Sequence, residues 1–191
     1  MIATIVLAAG NSSRLGQNKQ LLQHEGKSLI NRTLDICRKA KCEDIILVVG
    51  SDYMTIINQV ETEDLTLLYN QKWKNGMSSS ITTGTLWAKA TKKQGILVVL
   101  PDQIHLESNL LMNVARKAGL HPGKLICSRY THGFGAPSYF PSEFFDELLM
   151  NRAGNGAKSI LDKHAMDRLY VEFPKGMIDV DRPQDLNLLK S

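Results

Sequence analysis

Four short runs of apolar, mostly β-branched residues constrain the fold of this chain more than any other feature. They occupy residues 2–7, 44–50, 65–69 and 95–100. The runs lack polar alternation, which is typical of strands that are buried on both faces of a parallel sheet. Segments with apolar residues at helical spacing separate the runs. This alternation of strands and helices predicts an α/β fold with a parallel sheet.

The rest of the chain is less regular. We predict further strands at 124–128, 138–140, 169–173 and 177–180, and helices at 111–118, 142–150, 157–164 and 183–190. Ser28 is expected to cap the first helix. A chain of 191 residues is long enough to form one domain with a full hydrophobic core, so we expect a single domain over residues 1–191.

Composition argues against several classes of function. The formal net charge is only +4 and no block of Lys and Arg is present, so a nucleic-acid partner is not expected. No apolar run has the length of a membrane span and the N-terminus does not resemble a signal peptide, so we expect a cytoplasmic protein without a membrane partner. The three cysteines form no C-x-x-C pair, which favours reduced, incidental thiols.

The loop that follows the first apolar run has the composition of a phosphate-binding loop. It begins at Ala8, Ala9 and Gly10 and contains two cations, Arg14 and Lys19. Backbone N–H groups of such a loop can hold phosphate oxygens while the cations neutralise their charge. The loop has neither the P-loop pattern nor G-x-G-x-x-G.

Carboxylates are expected near this loop, because ligands of open α/β sheets bind outside the carboxyl ends of the strands. Asp102 ends the fourth run, and Asp179 and Asp181 end the last predicted strand. Asp102 alone could equally form a turn after Pro101, and Asp181 alone could cap a helix. Together with the cations they favour a Mg²⁺ site, because Mg²⁺ is held by one or two carboxylates and substrate phosphates.

These residues also match a known family signature. The pattern Leu7-Ala8-Ala9-Gly10-x-Ser12-x-Arg14-Leu15-Gly16-x-x-Lys19 resembles that of nucleotidyltransferases with the Rossmann-like NTP-transferase (MobA-like) fold. The chain is most similar to the molybdenum cofactor cytidylyltransferase branch. Further matching motifs occur in family order: Asn70-x-x-Trp73-x-x-Gly76-Met77-x-x-Ser80, Leu100-Pro101-Asp102-Gln103, Gly135-Ala136-Pro137, Gly156-Ala157-Lys158 and Asp179-Val180-Asp181-Arg182-Pro183.

The resemblance implies a three-layer α/β/α architecture with a mostly parallel central sheet, and it assigns roles to residues. Arg14, Lys19 and Asp102 would be catalytic, and Asp102 and Asp181 would bind Mg²⁺. Residues 1–103 would form the nucleotide-binding half and residues 104–191 the acceptor-binding half. The substrate-binding residues would be Leu7, Ala8, Ala9, Gly10, Asn70, Gly76, Met77, Ser78 and Ser80.

The reaction implied is transfer of CMP from CTP to a phosphorylated acceptor, with release of pyrophosphate. Ala9 stands where related guanylyltransferases have Gly, which favours CTP, and molybdopterin or molybdenum cofactor is the expected acceptor. Departures from the family pattern at Ala136, Asn155 and Lys158 lie on the acceptor side.

Alternatives remain at this point. GTP could be the nucleotide, or a sugar or polyol phosphate the acceptor. A third hypothesis is a non-catalytic, nucleotide-binding partner of a molybdoenzyme. The expected protein partner is a molybdoenzyme or its maturation chaperone.

Overall fold

The computed structural model describes residues 1–10, 15–151 and 156–190. Its strands are β1 Ile2–Ala8, β2 Gln23–His24, β3 Lys27–Ser28, β4 Asp44–Val49, β5 Leu65–Tyr69, β6 Gly95–Val99, β7 Leu125–Arg129, β8 Phe134–Pro141 and β9 Arg168–Glu172. Its α-helices are α1 Leu29–Lys39, α2 Tyr53–Ile57, α3 Met77–Ala90, α4 Ser108–Leu120, α5 Phe145–Met150 and α6 Lys158–Lys163. Short 3₁₀ segments are Lys19–Leu21, Trp73–Asn75, Ser142–Phe144, Ala165–Asp167 and Pro183–Lys190.

Seven strands form the central sheet in the order β5-β4-β1-β6-β8-β7-β9. Neighbouring strands run parallel except at β8, which is antiparallel to both β6 and β7. Strands β2 and β3 form a separate two-stranded hairpin inside a segment that the sequence presents only as a connector. The predicted mostly parallel sheet is confirmed.

Helices cover both faces of the sheet because β1 is buried on both sides. Val6 and Ala8 pack in one apolar cluster with residues of α1 and α4. Ile5 and Leu7, whose side chains point the other way, pack in a second cluster with residues of α3, α5 and α6. The arrangement is therefore the expected three-layer α/β/α fold.

The capping of α1 is also as expected. The Ser28 hydroxyl oxygen accepts a hydrogen bond from the backbone N–H of Asn31. This satisfies one of the N–H groups that the first turn of a helix leaves without an intrahelical partner.

Two predictions for the C-terminal segment were wrong. The predicted strand at 177–180 is reduced to one antiparallel bridge between Gln103 and Asp179. The alternating apolar residues of this segment, Ile178 and Val180, instead pack in a small third cluster with Leu29 and Ile104. The predicted last helix, Pro183–Lys190, is a 3₁₀ segment.

Candidate active site

A cleft of about 460 Å³ opens where β1 and β6 end side by side. Both strands point their carboxyl ends towards it, which is the position expected for a ligand site in a sheet of this kind. The described residues that line it are Leu7, Ala9, Gly10, Lys19, Gln20, Trp73, Lys74, Gly76, Met77, Ser80, Leu100, Pro101 and Asp102. Six of the predicted substrate-binding residues, together with Lys19 and Asp102, therefore lie around one cavity.

The N-terminus of α3 forms one wall of the cleft, and two glycines determine its position. Gly76, which precedes the helix, has φ +83°, a conformation that residues with a Cβ atom rarely adopt. Gly84 lies against β1 so closely that a Cβ atom there would be 2.5 Å from Ile5 Cδ1. This close packing brings Met77 and Ser80 to the cleft.

Trp73, part of the second matching motif, also lines the cleft. Its position depends on Gly50, which directly follows β4. A Cβ atom on Gly50 would lie 2.5 Å from the Ala9 carbonyl oxygen and 2.7 Å from Trp73 Cβ. A glycine at the end of a buried strand was the one available signal of this close approach.

Three predicted binding residues lie outside the cleft lining. Ala8 is buried in the core on the α1 side of the sheet. Ser78 is buried and borders a neighbouring groove. Asn70 is buried, and its side-chain Nδ2 donates to Ser79 Oγ at 2.8 Å and to Ser80 Oγ at 2.9 Å. Asn70 therefore holds the first turn of α3 in place.

Lys19 joins two of the predicted carboxylates. Its Nζ donates to Asp102 Oδ2 at 2.5 Å and to Asp181 Oδ1 at 2.6 Å. The side chains of Lys19 and Asp102 are largely buried, at 19% and 12% exposed, whereas that of Asp181 is 42% exposed. Burial alone would lower the pKa of Lys19, but the two carboxylates, Asp102 first, raise it above its usual value.

The structure shows both local features of these aspartates and their contacts with Lys19. Asp102 lies in the turn after Pro101, as its local alternative predicted, and its carboxylate also accepts from Lys19. The turn after Asp181 is capped by Asp185, whose Oδ2 accepts from the backbone N–H groups of Asp181 at 3.0 Å and Arg182 at 2.7 Å. The Asp181 carboxylate itself is directed to Lys19 at the cleft.

The second oxygen of Asp102 makes this site suitable for a metal ion. Asp102 Oδ1 is buried and has no hydrogen-bond partner among the described residues. A buried, unpaired carboxylate oxygen is costly unless a ligand satisfies it. No group of three or more His, Cys, Asp and Glu side chains in the described ranges forms a metal site by itself. A cation here would thus need further oxygen ligands, which substrate phosphates and water supply for Mg²⁺.

Asp179 adds negative charge beside this pair. Its pKa is raised to about 6 by partial desolvation and by the charges of Asp102 and Asp181, while Lys19 offsets part of the effect. The local excess of carboxylates over cations favours a bound cation.

Arg14, the second predicted phosphate ligand, lies outside the described residues, as does Asn155 on the predicted acceptor side. Ala136 and Lys158, the other two residues predicted there, are described. Ala136 precedes Pro137 across a cis peptide bond, and its carbonyl oxygen accepts from Gln103 Nε2 at 3.0 Å. The Lys158 ammonium lies 5.5 Å from the centre of the Phe134 ring.

The family of this chain follows from a match that covers most of its length. Residues 4–169 match the model of the MobA-like NTP transferase domain. The chain belongs to this family. It is therefore a nucleotidyltransferase-type domain, in agreement with the resemblance of its first loop.

Two curated relatives align with the MobA-like chain from end to end. Purine catabolism protein PucB of Bacillus subtilis is 22% identical over 197 residues, covering 97% of this chain and 94% of that protein. A probable molybdenum cofactor guanylyltransferase of Pyrococcus horikoshii is 24% identical over 204 residues, covering 96% of both proteins.

Solved structures show the same MobA-like fold. The crystal structure of Rv0371c from Mycobacterium tuberculosis superposes with a TM-score of 0.86 at 25% identity, covering 100% of this chain and 98% of that one. A second structure of Rv0371c, with a TM-score of 0.79 and the same identity and coverage, is a complex with manganese.

Within residues 1–10, 15–151 and 156–190, none of the helices combines the length and the apolar character of a bilayer-spanning segment.

Proposed function

We propose that this protein is a Mg²⁺-dependent cytidylyltransferase that transfers CMP from CTP to molybdopterin or molybdenum cofactor and releases pyrophosphate. The observation that carries the proposal is the convergence of Lys19, Asp102 and Asp181 beside the cleft. A protein that only bound a nucleotide would not require two carboxylates aimed at one cation at the phosphate end of its site.

The nucleotide would bind in the cleft between β1 and α3. Leu7, Ala9 and Gly10 line it on one side and would contact the base and ribose, while Gly76 to Ser80 close the other side. Ala8, Asn70 and Ser78 would act indirectly, by positioning these two walls. Ala9 lines the cleft at the position where related guanylyltransferases have Gly, which supports CTP as our first choice.

Lys19 and Arg14 would neutralise the triphosphate. The proposed reaction is an in-line attack of an acceptor phosphate oxygen on the α-phosphorus, with pyrophosphate as the leaving group. Such a transfer needs alignment of the two substrates and neutralisation of charge, and no nucleophile from the protein. A lysine ammonium at the cleft provides a charge-assisted hydrogen-bond donor for a phosphate oxygen.

Asp102 and Asp181 would hold Mg²⁺, with the unpaired Oδ1 of Asp102 as one ligand. When bound there, the ion would polarise the phosphate oxygens and neutralise charge that develops on them. The manganese complex of Rv0371c supports a divalent cation in this family. Mg²⁺ is the proposed ion because carboxylate and phosphate oxygens are its preferred ligands.

The acceptor would bind in the half formed by residues 104–191, opposite the nucleotide-binding half at 1–103, within a single domain. Gln103 lies at the junction and contacts Ala136 of the acceptor half. We place the reaction in the cytoplasm, where CTP is available, with a molybdoenzyme or its maturation chaperone as the candidate protein that receives the product.

GTP is the second candidate nucleotide. The observation that favours it is the end-to-end similarity to a P. horikoshii protein named as a probable molybdenum cofactor guanylyltransferase. The acceptor-side differences at Ala136 and Lys158 keep a sugar or polyol phosphate as the second candidate acceptor.

A panel of the four nucleoside triphosphates with Mg²⁺ and molybdenum cofactor, scored by pyrophosphate release, tests this proposal. We expect release with CTP that depends on the cofactor. Release with GTP alone would reassign the nucleotide, and release only with a sugar phosphate would reassign the acceptor. No release with any pair would favour a non-catalytic nucleotide-binding role.

A further inference from the structure

The ammonium group of Lys19 occupies the place between two carboxylates where a bound cation is expected. Its Nζ lies 2.5 Å from Asp102 Oδ2 and 2.6 Å from Asp181 Oδ1. These oxygens belong to segments that are far apart in the chain, and in the described structure Lys19 links them. We infer that Lys19 acts as an internal substitute for the divalent ion, so that the metal enters only together with the triphosphate. This inference rests on the proposed function, because it assigns an order of binding at the same site.

Lys19 and a metal ion cannot both bind strongly to these carboxylate oxygens at the same time. Mg²⁺ binds carboxylate oxygens at about 2.1 Å and requires near-octahedral geometry. An ion bound to the oxygens that now contact Nζ would lie within about 5 Å of the ammonium group, where like charges repel strongly in a partly buried site. The metal is therefore held strongly only after the ammonium group has moved.

Lysine side chains carry a positive charge near neutral pH, so the conflict between the ammonium group and the metal ion persists under ordinary conditions. The backbone is fixed as well, since Lys19 begins a 3₁₀ segment that Asn18 caps by accepting a hydrogen bond from the Gln20 N–H at 3.0 Å. Movement of the flexible side chain is the remaining route.

The triphosphate provides the reason for that movement. Lys19 lines the cleft, so its side chain can turn from the carboxylates to phosphate oxygens without a change of the backbone. The carboxylates are then left with excess negative charge, and the buried Oδ1 of Asp102 has no hydrogen-bond partner among the described residues. Nucleotide binding thus creates the vacancy that the metal fills.

This exchange makes metal and nucleotide binding mutually dependent. Each would increase the affinity for the other by the same factor, as required for any two linked binding events. The protein without nucleotide should therefore bind Mn²⁺ or Mg²⁺ weakly, although its site contains carboxylates in a suitable place.

Titration of Mn²⁺ into the nucleotide-free protein, followed by the electron paramagnetic resonance signal of free Mn²⁺, tests the inference. We expect Lys19→Met to bind Mn²⁺ at least tenfold more tightly than the unmodified protein, because the competing cation is gone. Lys19→Arg retains a cation and should remain as weak as the unmodified protein.

Lys74→Met is the matched control for general loss of positive charge. Lys74 lines the same cleft, but its ammonium lies over the Trp73 ring at 5.5 Å. We expect this variant to change the Mn²⁺ affinity by less than about twofold, since charges that are exposed and not in contact are screened. If Lys19→Met does not fold, as judged by circular dichroism, Lys19→Gln replaces it with the same expected tightening.

Unchanged or weaker Mn²⁺ binding by the folded Lys19 variants would overturn the inference, and so would equal tightening by Lys74→Met. The titration contains no nucleotide, so its outcome is separate from that of the CTP assay. The CTP assay could show no transfer while the Lys19 variants bind Mn²⁺ more tightly. That result would overturn the cytidylyltransferase proposal, but it would still support Lys19 as the group that occupies the metal position.

Discussion

Gln103 pairs with Asp179 in an isolated antiparallel bridge that links the two carboxylate-bearing segments of the site. Asp102 directly precedes Gln103, and Asp181 follows Asp179 by two residues. The buried Gln103 side chain strengthens this link, because its Nε2 lies within hydrogen-bonding distance of Gly176 O at 2.8 Å and Ala136 O at 3.0 Å. One residue therefore links the two aspartate-bearing segments to each other and to Ala136.

Gln103→Leu should loosen this connection. The carbonyl oxygen of the buried Gly176 would lose a side-chain donor, while that of the half-buried Ala136 would keep its bond from the Tyr130 hydroxyl, at a cost of about 1–3 kcal/mol in the free energy of unfolding. Urea unfolding measures the change, with Gln71→Leu at an exposed position as the control. Equal unfolding midpoints for the two variants would show that the Gln103 contacts contribute little.

Gly84→Ala should destabilise the protein through the packing of α3 on β1. A Cβ atom would meet Ile5 Cδ1 at 2.5 Å and Cγ2 at 2.9 Å, and Ile5 is fully buried and stiff because it is β-branched. We expect a net loss of at least about 1 kcal/mol in thermal or urea unfolding, even after the gain in helix propensity.

Gly119→Ala in α4 is the matched helical control for this substitution. A Cβ atom at Gly119 would meet nothing within 4 Å, so the substitution should be neutral or stabilise by up to about 1 kcal/mol. If Gly84→Ala proves as stable as Gly119→Ala, then α3 does not need the close approach to Ile5.

The apolar pattern was sufficient to predict the sheet because its central strands are buried on both faces and carry a continuous apolar signal. The apolar pattern did not predict the direction of each strand. Strand β8 runs antiparallel between β6 and β7, and nothing in its composition distinguishes that direction from a parallel one. The strand predicted at 177–180 failed because its apolar residues pack against Leu29 and Ile104 in a small separate cluster, and only Asp179 forms a bridge, with Gln103.

The position of Asp181 was predicted from a strand at 177–180, whereas in the structure the bridge between Gln103 and Asp179 brings it to the site. The approach of Lys19 to Asp102 could be predicted, because residues that follow parallel strands gather at one end of the sheet. The indirect role of Asn70 could not, since it depends on hydrogen bonds to serines that only the folded chain brings close. The position of Trp73 at the cleft could not be predicted either, because the glycine that follows β4 does not show which residue will approach it.

Asp102→Ala should abolish nucleotidyl transfer while largely preserving the fold. It would remove the proposed metal ligand and one partner of Lys19, and we expect turnover to fall by at least about 100-fold. Asp146→Ala is a suitable control, because Asp146 forms an exposed ion pair with Lys89. Circular dichroism checks the fold, and turnover near that of the unmodified protein would place the metal elsewhere.

Cys42 should react with iodoacetamide at lower pH than an unfolded cysteine. Its pKa is lowered, first by the hydrogen bond from Cys37 and also by one from Thr4, which outweigh the opposite effect of burial. A lowered pKa means that the reactive thiolate forms earlier as pH rises. Mass spectrometry of alkylation between pH 6 and 9, compared with the urea-unfolded chain, checks this.

Thr4→Val provides the control for the Cys42 prediction, since it removes one of the two donors. Alkylation of Cys42 in this variant should shift towards higher pH. Identical pH profiles for the folded and unfolded chains would contradict the predicted stabilisation of the thiolate.

The central claim is that the α-phosphorus of CTP is the point of attack. Its most direct test is the reaction of CTP labelled at the α-phosphate with molybdenum cofactor and Mg²⁺, followed by separation of the products. The account predicts that the label enters the cofactor as CMP, with one pyrophosphate released for each CMP transferred and none formed without Mg²⁺. Recovery of the label as CDP, or as CTP alone under conditions where the cofactor is intact, would contradict it.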